Sequence, residues 1–83
     1  MTPEEARSLE TRAIRAIHDS ESRADVIPPY TECVRKREFI SLDKVEAAIV
    51  ERWSETVLEW AQIKARETIE NELEHARTGD DGE

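Results

Sequence analysis

Apolar positions in the first quarter of the chain recur at helical spacing. Ala6, Leu9, Ala13, Ala16 and Ile17 share one side, while Arg7, Arg12 and Arg15 point away from it. Thr2-Pro3-Glu4-Glu5 adds a start signal: a hydroxyl cap, a proline where no amide hydrogen is needed, and a glutamate three residues after the cap. An amphipathic helix is expected from residue 3 to about 20. Asp19-Ser20-Glu21-Ser22 lowers helical propensity, and Pro28-Pro29 removes two amide donors in succession, so a connector is expected to begin by Asp25.

Residues 26–40 mix the two periods. Tyr30, Cys33 and Val34 suit one helical turn after Pro29, whereas Phe39-Ile40 suits an extended stretch, and a short helix or turn packed on its neighbours is expected. Pro28-Pro29 itself reads as a helix stop. Ser41-Leu42-Asp43 then opens a second long helix, with Ser41 as N-cap, Asp43 against the positive end of the dipole, and Ile40 placed to staple onto Val45. No Gly or Pro follows until Gly79. A continuous helix over 42–77 would be about 54 Å long at about 1.5 Å per residue, far beyond the roughly 12 Å radius of gyration of a compact chain this size. It must bend, break or bury its overhang on another chain. The tail from Thr78 to Glu83 has nothing to pack and is expected to be disordered, leaving 1–77 as a single domain.

Two apolar stripes mark this helix. Stepping about 100° per residue from Val45 brings Leu42, Val45, Ile49, Trp53, Thr56, Trp60 and Ile63 within about 80° of one another, a seam expected to form the intrachain core. Leu58, Ala65, Ile69, Leu73 and Ala76 cluster on the opposite side. Glu67, Glu70 and Glu74 continue the tryptophan side, and Glu51, Glu55 and Glu59 precede the second stripe. The apolar face therefore swaps over, near Ile63, and Leu58, Ala65, Ile69 and Leu73 are expected to dock on a partner or a second copy, unless the helix breaks near 62–66 and folds back or a short C-terminal helix simply frays.

Composition narrows the fold class. Among 83 residues 39% are charged, only two are Gly, and Leu, Ile, Val and Phe number seventeen, so the chain is expected to be all-α, a small helical hairpin or bundle with a thin core. Twenty acids against twelve bases give a formal charge of −8, which opposes general attraction to nucleic acid or an anionic membrane. A single cysteine, no secretory pattern at the N-terminus and no apolar run of about 18 residues lead to the expectation of a cytoplasmic protein.

Chemistry-bearing residues are sparse. Cys33, His18 and His75 lack the paired spacing of a zinc site, and Cys33 has no neighbouring base to activate it, so no metal, cofactor or catalytic residue is expected. Asp43-x-x-Glu46 and Glu67-x-x-Glu70 resemble the paired acidic motifs of all-helical nucleotide pyrophosphatases, which hold magnesium between helices. On one continuous helix the pairs stand about 36 Å apart, which precludes a shared ion without a fold-back. The chain is similar in size to the small helical secretion substrates that form hairpins with a Trp-x-Gly turn, but Trp53-Ser54-Glu55 has no glycine and sits inside a predicted helix. The basic run Arg35-Lys36-Arg37 is expected to pair with Glu32, Glu38 or the acidic helix.

The expected function is a non-enzymatic helical interaction module, a small regulator or adaptor that self-associates or docks on a protein, with no small-molecule substrate. One alternative is an acidic inhibitor, similar in composition to proteins of phages and mobile elements, in which Glu51, Glu55, Glu59, Glu67, Glu70 and Glu74 imitate a phosphate backbone. Another is a small virion or assembly component.

Overall fold

The structure, a computed structural model, describes residues 2–81, with side chains described through Glu74. Helix α1 spans Pro3–His18 and begins with a capping box: Glu5 N–H donates to Thr2 Oγ1 at 3.1 Å, and Thr2 N–H donates to Glu5 Oε1 at 2.9 Å. These bonds favour the ionised carboxyl, the backbone donor most, so Glu5 lies below its ordinary range. Ala6, Ala13 and Ile17 are buried as the spacing predicts, but Ala16 is exposed.

After α1 the chain turns through Ser20 into a 3-10 turn, Arg23–Val26, where the Asp25 carboxylate accepts from the N–H groups of Glu21 and Ser22, each at 3.2 Å. Helix α2, Ile27–Arg35, follows at once. The expected short helix exists, but Pro28 and Pro29 open it rather than stop one. They occupy its first turn, where amide hydrogens have no intrahelical acceptor and their loss costs nothing.

The long helix is broken, and earlier than expected. Helix α3 spans Leu42–Arg52 and helix α4 spans Glu55–Asp81. Ile40 and Val45 both join the buried cluster, as a staple requires, although Ser41 makes no side-chain capping bond. At the break Trp53 N–H still donates to Ile49 O at 2.8 Å, and Ser54 then caps α4: its Oγ accepts from Val57 N–H at 3.3 Å and its carbonyl from Leu58 N–H at 3.1 Å. A serine cap with Glu55 in the following turn is enough to restart a helix without Gly or Pro. Of the tail expected to be disordered over 78–83, the backbone is helical through Asp81, and 82–83 lie outside the described residues.

The break is pinned from across the molecule. Ser20, buried, donates its hydroxyl to Ile17 O at 2.6 Å and accepts from the Trp53 indole N–H at 2.9 Å. Arg52 stacks on the Trp53 ring at 4.7 Å and donates to the Ser20 carbonyl at 2.7 and 3.2 Å. Arg23 similarly lies over the Trp60 ring at 5.3 Å.

Helices α2 and α3 form the middle of the bundle; α1 packs on both from one side and α4 from the other. One cluster joins them, with Ile17, Val26, Cys33, Val45, Ile49 and Ala61 fully buried. The turn at Trp53-Ser54 resets the helical phase, so α4 presents Leu58, Ala61 and Ala65 inward. Those positions lie about half a turn from Val45 and Ile49 on a continuous helix. The swap of apolar faces is therefore real, but it falls at the break and not at Ile63. Ile63, expected in the core seam, is 54% exposed. Both tryptophans are only half-buried. At 27 residues α4 is about 40 Å long and runs most of the molecule's 45 Å extent.

Candidate functional site

A concavity among the described residues lies where the end of α2 and the start of α3 approach α4. Its cavity, about 560 Å³, has an apolar floor of Tyr30, Val34, Leu42 and Ile69. Arg37, Gln62, Arg66 and Glu70 form its polar rim. A second hollow of about 360 Å³ shares Val34, Arg37 and Ile69 with the first and extends the groove to Leu73, with the paired Arg35 and Glu72 also lining it. The helical phase of α4 places Gln62, Arg66, Ile69 and Leu73 along the groove in a row.

Polar contacts beneath the groove join three helices. The Tyr30 hydroxyl donates to Glu46 Oε2 at 2.8 Å, and Gln62 Nε2 donates to the same oxygen at 3.3 Å. Burial, followed by the bond to Glu46, raises the Tyr30 phenol well above its usual range, so it stays protonated and holds Glu46. Cys33 is sealed in the core, and desolvation with help from Glu10 and Glu32 pushes its thiol up to about 11, the condition of an inert small hydrophobe.

The second stripe is divided by the fold. Ala65, 1% exposed, belongs to the core and is no surface residue; Leu58 is partly buried against the same cluster; Ile69 is half-buried in the groove floor; Leu73 is 64% exposed at its end. Sequence reasoning placed Ala65 on a docking face because the fold-back that buries the near end of that stripe lies at Trp53-Ser54, where none was expected. It missed Ala61, whose small side chain lies on neither stripe.

The six glutamates expected to imitate a phosphate backbone are all exposed but do not form one row. Glu51 closes α3, whereas Glu55 and Glu59 open α4, so their spacing by four is interrupted by the turn. Glu51 lies 4.0 Å from His18, and Glu67 lies 3.8 Å from Lys64; Glu70 lines the groove, and Glu74 is exposed beyond it. Of the basic run, Arg35 alone forms ion pairs among the described residues. Arg35 donates to Glu32 at 2.8 Å and makes a two-pronged contact with Glu72 of α4, whose hydrogen bond raises the guanidinium above its ordinary value. Arg37 is exposed at the groove rim and Lys36 half-buried.

The turn at Trp53-Ser54 supplies the fold-back that brings Asp43, Glu46, Glu67 and Glu70 onto neighbouring helices. They still do not converge: Glu46 is turned to Tyr30 and Gln62, and no group of three metal-capable side chains gathers among the described residues. No helix among the described residues is long and apolar enough to cross a membrane. No family model matches the chain, and neither a curated protein nor a solved structure does.

Proposed function

We propose that the chain is a non-enzymatic helical interaction module that holds another polypeptide on the α4 groove. The observation that carries this reading is Leu73: a large apolar side chain, 64% exposed, on a helix whose next inward residue, Ile69, floors an open cavity. Such a pair has the form of an anchor beside a socket, the arrangement on which binding energy concentrates at interfaces. The polar groups nearest the cavity support the non-enzymatic part, since the Tyr30 phenol and the Gln62 amide both serve to fix Glu46. Phe39, 52% exposed on the turn leading to α3, adds a second apolar side chain outside the core.

The acidic-inhibitor alternative ranks second. It rested on a straight row through Glu51, Glu55 and Glu59, and with the helix broken it retains Glu55, Glu59, Glu67, Glu70 and Glu74 on α4.

A photo-crosslinking amino acid placed at position 73, in the cells that make the protein, tests the reading. A polypeptide adduct at 73 and none at Thr56, which is exposed away from the groove, is the expected result. No adduct at 73, or equal adducts at both positions, overturns it.

A further inference from the structure

The geometry points to a second copy of this chain as the occupant of the groove, its α4 lying antiparallel along the first. This inference rests on the reading of the groove as a docking surface and names the partner. Two features of the groove argue for a copy. First, each chain carries both an exposed anchor, Leu73, and a hollow lined by Gln62, Arg66 and Ile69, on the same helix and in the same row. When two α4 helices run antiparallel about a dyad at Ile69, position 73 of one faces position 65 of the other, so each Leu73 falls over the other's hollow. The surface is then self-complementary in the sense a twofold interface demands, with each chain giving and receiving the same contact.

Second, the charges along the groove match on reversal. Arg66 and Glu70 line the cavity, and neither has an ion-pair partner within 4 Å among the described residues. They lie on the same flank of the row, and a dyad at Ile69 brings Arg66 of each copy to within about 3 Å along the axis of Glu70 of the other. Two reciprocal ion pairs form at the edges of two reciprocal apolar contacts. Glu72, on the opposite flank, is already engaged by Arg35 and does not compete.

The contact is short. A stable interface covers about 800 Å² per partner, more than four helical turns provide, so the dimer belongs to the weak class and the −8 charge of each chain opposes its approach. Sedimentation equilibrium of the purified full chain is therefore run from about 10 µM to about 1 mM at about 0.15 M salt, where charges are screened beyond roughly 8 Å. Leu73→Glu and Arg66→Glu are each expected to raise the dissociation constant at least about tenfold, and Arg66→Glu combined with Glu70→Arg to bring it back. Circular dichroism of each variant establishes that its fold is retained, as the exposure of all three positions leads one to expect. A chain that stays monomeric throughout, a dimer indifferent to Leu73→Glu, or a reversed pair that restores nothing overturns the inference. A monomeric purified chain that still gives adducts at position 73 in cells removes the second copy alone; absence of any adduct removes the docking surface itself.

Discussion

The corner where α3 turns into α4 and the groove farther along α4 each set an arginine near a large apolar side chain and end in opposite conditions. At the corner an arginine, a tryptophan and a serine satisfy one another: Arg52 takes the Ser20 carbonyl, Trp53 takes the Ser20 hydroxyl, and the guanidinium covers the indole face. In the groove an arginine, a glutamate and a leucine have no such closure, for Arg66 and Glu70 form no ion pair among the described residues and Leu73 stands in water. The difference teaches that a polar side chain can close a fold when its donors meet buried acceptors. Left at the rim of an apolar hollow, the same chemistry defines a surface that another chain can complete.

The largest effect should fall at the closed end. Ile49 is fully buried, and its carbonyl accepts the Trp53 N–H that ends α3, so Ile49→Ala opens a cavity beneath the corner. A loss of about 2–5 kcal/mol is expected in urea denaturation, a large share of the roughly 8 kcal/mol available to a chain this size. A loss under about 1 kcal/mol would mean that the corner is no better packed than the groove, and the comparison would fail.

Alkaline pH should act on the closed side next. The Cys33 thiol is raised from 9.0 to about 11, chiefly by desolvation, so the folded state keeps a proton that the unfolded chain releases. Stability from this group is present below pH 9 and lost as pH rises towards about 11, by roughly 2 kcal/mol in all. In Cys33→Ala the fall in melting temperature between pH 8 and 11 should be smaller than in the parent chain, with the raised Tyr30 phenol contributing to what remains. An identical alkaline slope in both proteins would show that Cys33 is reached by solvent.

The contrast also explains what was legible in the sequence. Helix α1 was readable because its cap and periodicity are local: Thr2, Pro3 and Glu5 act within one turn. Pro28-Pro29 was ambiguous, since proline suits the first turn of a helix as well as its end, and only the buried Val26 and Tyr30 on either side decide between them. The turn at Trp53-Ser54 was missed because it contains neither Gly nor Pro and is stabilised by Ser20, more than thirty positions away. The local signal that was present, Ser54 followed by Glu55, is weak by itself. Of the four proposed docking residues, Ala65, Ile69 and Leu73 share one phase of α4, and the fold-back buries the near end of that stripe at Ala65 while leaving Ile69 and Leu73 to line the groove. The opposing face of the groove, Tyr30, Val34 and Leu42, could not be assembled without the fold-back.

A smaller effect separates the serine from the backbone at the corner. Ser20→Ala keeps the carbonyl that Arg52 uses but leaves the half-buried Trp53 indole N–H without an acceptor, for an expected loss of about 1–2 kcal/mol. Tryptophan emission should shift to the red as the ring loosens, and Trp53→Phe, which removes donor and orphan together, should make the further change Ser20→Ala smaller, leaving only the loss of the hydroxyl's bond to Ile17 O. Additive losses in that double-variant cycle would show that the serine and the tryptophan do not act on each other.

The smallest effect should come from the open end, and its size depends on concentration. Leu73→Ala removes an exposed side chain with no buried contact to lose, and alanine favours the helix slightly more than leucine, so the dilute chain should change by less than about 0.5 kcal/mol. Concentration distinguishes a bare surface from a half-made interface. Anything that binds only the folded chain raises its apparent stability as it saturates, so a parent chain that pairs through Leu73 should melt at higher temperature as concentration rises, and Leu73→Ala should not. Thermal denaturation at about 1 µM and again near 1 mM measures both at once. Parallel behaviour of the two proteins would mean that Leu73 anchors no second copy, whereas divergence confined to the high concentration would locate the completion of the groove at this side chain.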